Sequence, residues 1–271
     1  MADPKRFKNS SKLSHFCLHS CSYRDSTMTT NIHDLVKHRL AVDSRWSVDL
    51  RNTARPKIIF VDDVDYQKIV RTPDHIAMFA GYADIMNDWK LAICVASYSG
   101  NYSFRKLQTK GIAMLLLDAR TGEILTQLNH NAINSEATFA GTGAKYAMGH
   151  WPNCRDAIAA VEKAKLSDPL TGGTVRHFDY ETKTGTLGID GPYADYRLEF
   201  LRKGKVMYLD GKTEAVPVDV AAAEDTSIHE VLNKIQAGQI SAAAPFVGMD
   251  EDLSAEEKER LFPSLESVFS R

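Results

Sequence analysis

Thr29 and Thr30, which follow Met28, are the residues here best suited to nucleophilic chemistry. A threonine freed at a chain N-terminus carries a hydroxyl nucleophile and its own amine as base. Four later segments supply partners: Leu40-Ala-Val-Asp-Ser-Arg45, Lys68-Ile69 ahead of Ile76-Ala-Met-Phe-Ala-Gly81, Ala140-Gly-Thr-Gly143, and Ser167-Asp-Pro-Leu-Thr-Gly-Gly173. They hold a carboxylate (Asp43), an ammonium (Lys68), glycines (Gly81, Gly141, Gly143) and a second carboxylate with hydroxyls (Asp168, Thr171, Thr142). Each piece alone has a plainer reading. Asp43 suits a strand-end turn, Lys68 a surface strand position, and Asp168 a helix-to-strand loop. Gly141-Thr-Gly143 suits a turn before a helix. It could also cradle phosphate at a helix N-terminus, but no P-loop lysine-serine pair follows it.

His15-x-Cys17-x-His19-x-Cys21 would place four possible metal ligands on one face of an extended strand. Zinc frameworks space their ligand pairs more widely, so neither a metal site nor a cofactor is expected. His150 and Trp151 read as loop or core.

These groups need a frame to position them. The 271 residues suffice for one large domain, or one domain with an appendage. Apolar residues make up 44% and charged residues 25%, a globular composition. The net charge of −2 argues against nucleic-acid binding. No apolar run approaches the ~18 residues of a membrane span. Four cysteines suit a reducing, cytoplasmic compartment rather than a disulfide scaffold.

Residues 1–28 show no helical or strand period. They read as a propeptide, as sequence upstream of a start at Met28, or as a basic, Ser-rich targeting segment against which Asp3 and Asp25 count. Residues 29–36 and 39–43 read as a strand pair around Lys37-His38, with Asp43 at a strand end. Residues 46–56 read as a loop, and 57–61 as a strand. Residues 68–70 and 75–80 pair across Thr72-Pro-Asp74. A helix opens at Gly81 with a stripe of Asp84, Ile85, Met86, Trp89, Leu91 and Ile93. Residues 97–105 fit helix or loop. Residues 111–118 and 123–128 form a hairpin, and 138–143 a further strand. Helices over 144–148 and 154–166 precede a strand over 172–179, which turns back through Thr182-Lys-Thr-Gly185. Beyond residue 190, strands are expected within 196–209 and over 216–220. Helices are expected over 227–236 and from the capping box Ser254-x-x-Glu257. Residues 221–224 and 237–252 read as linkers. Runs of antiparallel strands with helices between them give an α+β fold rather than alternating βαβ units.

Taken together and in order, the five motifs resemble those of proteasome β-subunits and bacterial HslV-type peptidases, within the N-terminal nucleophile hydrolases. The resemblance spans residues 29–190 and leaves 191–271 as a C-terminal extension. It implies a four-layer αββα sandwich of antiparallel sheets. Thr29 would be the nucleophile, with Asp43 orienting its surroundings, Lys68 tuning its amine and Gly81 donating to the oxyanion. Thr142 and Thr171 stand where the family has serine, and Asp168 matches the family's aspartate. Phe79 and Ala83 would line the first substrate pocket and favour small or apolar side chains; the plainer reading of Phe79 is core. The hairpin from Thr29 to Asp43 has about two residues fewer than the family's, which leaves side-chain facing unchanged because the strand period is two. Thr30 breaks that parity, whereas Thr27 keeps the family's spacing but lacks a following threonine. The order of preference is Thr29, Thr27, Thr30. Polar Asn31 and His33 stand where the family favours apolar residues.

The expected function is a threonine-type endopeptidase. The resemblance implies a homo-oligomeric ring acting on peptides or unfolded protein, with a possible ATP-dependent unfoldase. The alternatives are a non-catalytic subunit of the same fold, a non-peptide amidase, and a binding module built on the extension.

Overall fold

The structure is a computed structural model that describes residues 29–100, 102–129, 132–210, 214–246 and 248–270, without the side chains of 132 and 133. Thr27 and the His15–Cys21 cluster lie outside the described residues.

The chain opens with a hairpin of β1 (Asn31–Asp34) and β2 (Arg39–Val42), with Ile32 opposite Ala41. The segment read as a loop is in fact a strand, β3 (Trp46–Leu50), paired with β4 (Lys57–Val61). Trp46, Val48 and Leu50 alternate with polar residues, the period of a half-buried strand. β5 (Ile69–Arg71) pairs with β6 (His75–Tyr82), which runs straight into α1 (Ala83–Ser99). Gly100, in the left-handed region, ends α1 by donating its N–H to the Ala96 carbonyl. A 3-10 turn over Phe104–Lys106 follows, then β7 (Ile112–Asp118), β8 (Ile124–Leu128), β9 (Ala132–Ile133) and β10 (Ala137–Ala140). Helices α2 (Ala144–Cys154) and α3 (Ala157–Lys165) precede β11 (Arg176–Asp179). Asp156 caps α3 by accepting from the Ala159 N–H at 3.0 Å.

The later residues depart further from expectation. Where two strands were expected in 196–209, residues Tyr193–Lys203 form α4 and only Lys205–Tyr208 form a strand, β12. Tyr193, Tyr196 and Phe200 recur at helical spacing, and the last two are buried. The strand expected over 216–220 is limited to β13 (Val216–Pro217), and the supposed linker after it belongs to α5 (Val218–Glu224). α6 (Thr226–Gln236) and α7 (Ala255–Phe269) form as expected, α7 with its Ser254–Glu257 capping box. The other supposed linker contains a two-residue strand, β14 (Ala243–Ala244).

All strand pairs among the described residues are antiparallel. One sheet has the order β11-β2-β1-β10-β9. The other has the order β13-β12-β4-β3-β14-β6-β7-β8, with β5 also on β6. Three apolar groupings hold these parts together. Ile32, Ala41 and Phe139 of the first sheet pack with Ala147, Trp151 and Val161 of α2 and α3. Leu40, Val42 and Phe178 of the first sheet meet Ile76, Met78 and Leu115 of the second. The largest group joins the other face of the second sheet to α1, α4, α6 and α7 through Phe79, Trp89, Phe200, Leu232 and Leu265. Strand alternation explains the division on β6, where Ile76 and Met78 turn toward the first sheet and Ala77 and Phe79 toward the helices. The residues after 190 are woven into this frame, since β12 pairs with β4 and β14 lies between β3 and β6. No helix among the described residues is long and apolar enough to cross a membrane.

Candidate functional site

Asp43 follows β2 directly, at the point where the chain leaves the first sheet for β3 in the second. Its backbone continues the hairpin by one step, with the Asp43 N–H donating to the Thr30 carbonyl at 3.1 Å. This register places Thr29 and Thr30 beside the carboxylate. Thr29 Oγ1 donates to Asp43 Oδ1 at 2.5 Å, and the Thr30 N–H donates to the same oxygen at 3.0 Å. Lys68, just before β5, reaches in from the second sheet. Its ammonium donates to Asp43 Oδ1 at 2.7 Å and is in direct hydrogen-bond contact with Thr29 Oγ1. The other carboxylate oxygen accepts from the N–H groups of Gly172 at 3.1 Å and Arg45 at 3.2 Å. Five donors therefore converge on Asp43, which is wholly buried, as are Thr29 and, to within 2% exposure, Lys68. Burial pushes the Lys68 pKa down, and the Asp43 charge opposes that shift.

A second arm lies beside the first. Thr30 Oγ1 is 2.9 Å from Thr171 Oγ1, and the Thr171 hydroxyl donates to Asp168 Oδ2. The Leu170 N–H donates to Asp168 Oδ1 at 3.0 Å. Burial raises the Asp168 pKa to about 6, against the lowering effect of these hydrogen bonds. Successive residues of an extended chain point to opposite sides, so Thr29 serves the Asp43–Lys68 arm and Thr30 the Asp168–Thr171 arm. Sequence reasoning ranked Thr30 last as a nucleophile and gave it no other part; its partner lies 141 residues away. The same reasoning missed Arg45. Its guanidinium forms a two-pronged pair with Asp62, at 2.8 Å through each nitrogen, and its Nη1 donates to the Pro169 carbonyl, tying the Asp43 turn to the Asp168 loop.

Gly141 and Gly143 close over Thr29. The Gly143 N–H donates to the Thr29 carbonyl at 2.9 Å. Gly141 has φ +83°, and a Cβ there would lie 2.1 Å from that carbonyl oxygen. Thr142 between them is buried, and its Oγ1 has no hydrogen-bond partner. Gly81 lies on β6 with φ +135°, and a Cβ there would lie 2.3 Å from the Gly111 carbonyl. Only glycine fits. Phe79 and Ala83 are fully buried in the large apolar group beneath the helices. The Phe79 backbone takes part more directly, because its N–H donates to the Lys68 carbonyl and its carbonyl accepts from Asn31 Nδ2 at 2.7 Å. Trp151 is core, as read, while His150 lies in α2 rather than in a loop. No group of residues able to hold a metal occurs among the described residues.

No family model matches this sequence, and no curated protein does. Solved structures similar to the chain include Thiobacillus denitrificans BPH in complex with epoxomicin, at 14% identity over 56% of this chain and 97% of that one, with a TM-score of 0.36. Eukaryotic HslV from Trypanosoma brucei is similar at 14% identity over 56% of this chain and 99% of that one, with a TM-score of 0.34. A second structure of the Thiobacillus protein gives 15% identity over 56% and 96%, with a TM-score of 0.36.

Proposed function

We propose that this chain is a threonine-type peptidase whose nucleophile is Thr29, exposed as an N-terminus by removal of residues 1–28. The observation that carries the reading is the contact of Thr29 Oγ1 with both Lys68 Nζ and Asp43 Oδ1 inside a buried cluster. An ammonium on one side and a carboxylate on the other fix the hydroxyl and allow its proton to leave as the oxygen attacks a carbonyl carbon. The freed Thr29 amine serves as base, and the neighbouring Lys68 charge keeps it unprotonated. The Gly81 N–H would stabilise the tetrahedral oxyanion. Asp168, Thr171 and Thr142 would orient the new amine through their oxygens. Phe79 and Ala83 would back a pocket for a small apolar side chain. The adduct then breaks its C–N bond and expels the amine half of the peptide, which takes the proton held by the Thr29 amine; water hydrolyses the remaining Thr29 ester, releases the acid half and restores the hydroxyl.

In the same reading the packed surfaces form a four-layer αββα sandwich over residues 29–190, with 191–271 as an integrated extension. The protein works as a homo-oligomeric ring in the cytoplasm on peptides or unfolded chains, with an ATP-dependent unfoldase as a possible feeder. The complete burial of Thr29 favours a second reading, a non-catalytic subunit of the same fold.

N-terminal sequencing and intact mass of the purified protein separate the two. A chain that begins at Thr29, cleaves peptides and is silenced by Thr29→Ala supports the peptidase. A chain that retains residues 1–28, or one that begins at Thr29 and cleaves no member of a broad peptide panel, leaves the non-catalytic subunit.

A further inference from the structure

β14 enters the second sheet in an unusual way. Among the described residues β3 and β6 do not pair with each other; Ala243 lies opposite Ser47 of β3 and Tyr82 of β6, and Ala244 lies opposite Gly81. The Ala83 N–H extends the ladder by donating to the Ala242 carbonyl at 3.0 Å. The filler is only two residues long, and Pro245, which has no N–H to give a ladder, follows at once. Both flanking strands lead to the candidate site. Ser47 comes four residues after Asp43. Gly81 comes two after Phe79, whose N–H donates to the Lys68 carbonyl at 2.8 Å. The gap between β3 and β6 is thus filled by β14, and it lies between two strands that lead to the residues holding Thr29.

We infer that the chain's own segment Ser241–Phe246 occupies this gap as an intramolecular blocker, which an extended peptide would have to displace. Two edges capture an extended peptide mainly through main-chain hydrogen bonds, a mode that tolerates many sequences. The segment's own side chains suit that role. Ala242 and Ala244 are wholly buried and point to the face that holds Phe79 and Ala83. Ala243 and Phe246 turn the other way, against Ala80, Ala113 and Met249. Phe246 and Met249 anchor the segment from outside the slot and leave the three alanines as its removable part. Emptied, the slot takes an extended peptide with small apolar side chains at alternate positions. Calling that peptide a substrate rests on the peptidase reading; the occupancy of the slot does not.

The test reads binding, not turnover. Full-length protein carrying Thr29→Ala is titrated into a fluorescein-labelled synthetic peptide with the sequence of residues 238–248, and anisotropy is followed. Adding Ala244→Asp places a carboxylate in the apolar floor and should release the segment, so the peptide should bind at least ten-fold more tightly. If the folded Ala244→Asp chain binds no more tightly than its parent, β14 is a fixed part of the sheet and the inference is overturned. Should that variant fail to fold, the pair Ser47→Cys and Ala243→Cys decides, because these residues face each other across the ladder. The oxidised protein should bind the peptide at least ten-fold more weakly than the reduced one. Equal binding in the two states, or failure of the thiols to couple, overturns the inference. Peptide binding without hydrolysis by a chain that begins at Thr29 would remove the peptidase reading and leave the slot in place.

Discussion

Lys68 Nζ and Thr29 Oγ1 are hydrogen-bonded across 39 residues of sequence, and both also meet one oxygen, Oδ1 of Asp43. The contact joins the two sheets, since Thr29 and Asp43 belong to the first hairpin and Lys68 leads into β5. Removing the ammonium therefore tests both stability and chemistry. Lys68→Met keeps the length of the side chain and leaves the Asp43 charge buried without a cation. Breaking such a pair costs about 3–5 kcal/mol. The four remaining donors to Asp43 put the expected loss near the lower end. Adding Asp43→Asn removes the stranded charge and should recover part of that loss. Urea unfolding of the two variants checks this. A loss under about 1 kcal/mol in Lys68→Met would mean that the pair contributes little net stability.

Asp168 should make stability depend on mildly acid pH. Its folded-state pKa of about 6 lies above the ordinary 3.8, so the folded state binds the proton more tightly than the unfolded one. The resulting stabilisation is complete below about pH 4 and is lost as pH rises through 6. Across that window it amounts to on the order of 3 kcal/mol. Asp168→Asn, which keeps an acceptor for Thr171, removes this contribution. The wild-type minus Asn difference in unfolding free energy, measured from pH 4 to 7, should fall with pH. A flat difference would show that Asp168 titrates alike in both states.

His33 acts in the opposite direction. It is buried on β1, its ring lies edge-on to Tyr180 with centroids 5.8 Å apart, and its Nδ1 has no partner. Burial first, and the nearby His38 charge second, lower its pKa from 6.5 to about 4. A depressed pKa contributes stability above the unfolded value that is lost as pH falls from 6.5 through 4. His33→Phe keeps the ring against Tyr180 and should remove that acid sensitivity, so the variant gains on wild type as pH falls. Melting temperatures of both proteins at pH 4.5 and 7.5 give the result. An equal drop in the two would assign the acid sensitivity to other groups.

The strands that run into Asp43, follow Lys68 and carry Gly81 were legible in the sequence. Leu40-Ala-Val42 is a compact apolar run that stops at a charge, which locates both a buried strand and the residue at its end. Lys68 and Gly81 could be placed because their strands are β-prone on either side of a Thr-Pro-Asp turn. The pairing of Thr30 with Thr171 left no local trace, since nothing near either residue marks the other. β3 had a period-two signal in Trp46, Val48 and Leu50 that its polar neighbours obscured. α4 was misread because Tyr193, Tyr196 and Phe200 are β-prone by type, and only their spacing shows the helix. β14 was beyond reach, because a two-residue strand has no period and gains its structure wholly from distant edges.

Two glycines on either side of α2's first turns should respond to alanine with opposite signs. At Gly141 the backbone is left-handed, φ +83°, and the added Cβ would meet the Thr29 carbonyl oxygen at 2.1 Å. Both the conformation and the overlap disfavour Gly141→Ala, and a loss of about 2–4 kcal/mol is expected. The overlap also pushes Thr29 away from Lys68 and Asp43, so any activity that depends on Thr29 should fall with it. At Gly149, inside α2, a Cβ meets nothing within 4 Å. There alanine removes unfolded-state freedom and suits the helix, so Gly149→Ala should stabilise by about 0.5–1 kcal/mol and leave activity alone. Urea unfolding of the two variants in parallel, with the same peptide assay on each, checks the contrast. If Gly141→Ala is as stable as wild type, the loop over Thr29 is free to move and does not hold the nucleophile in place.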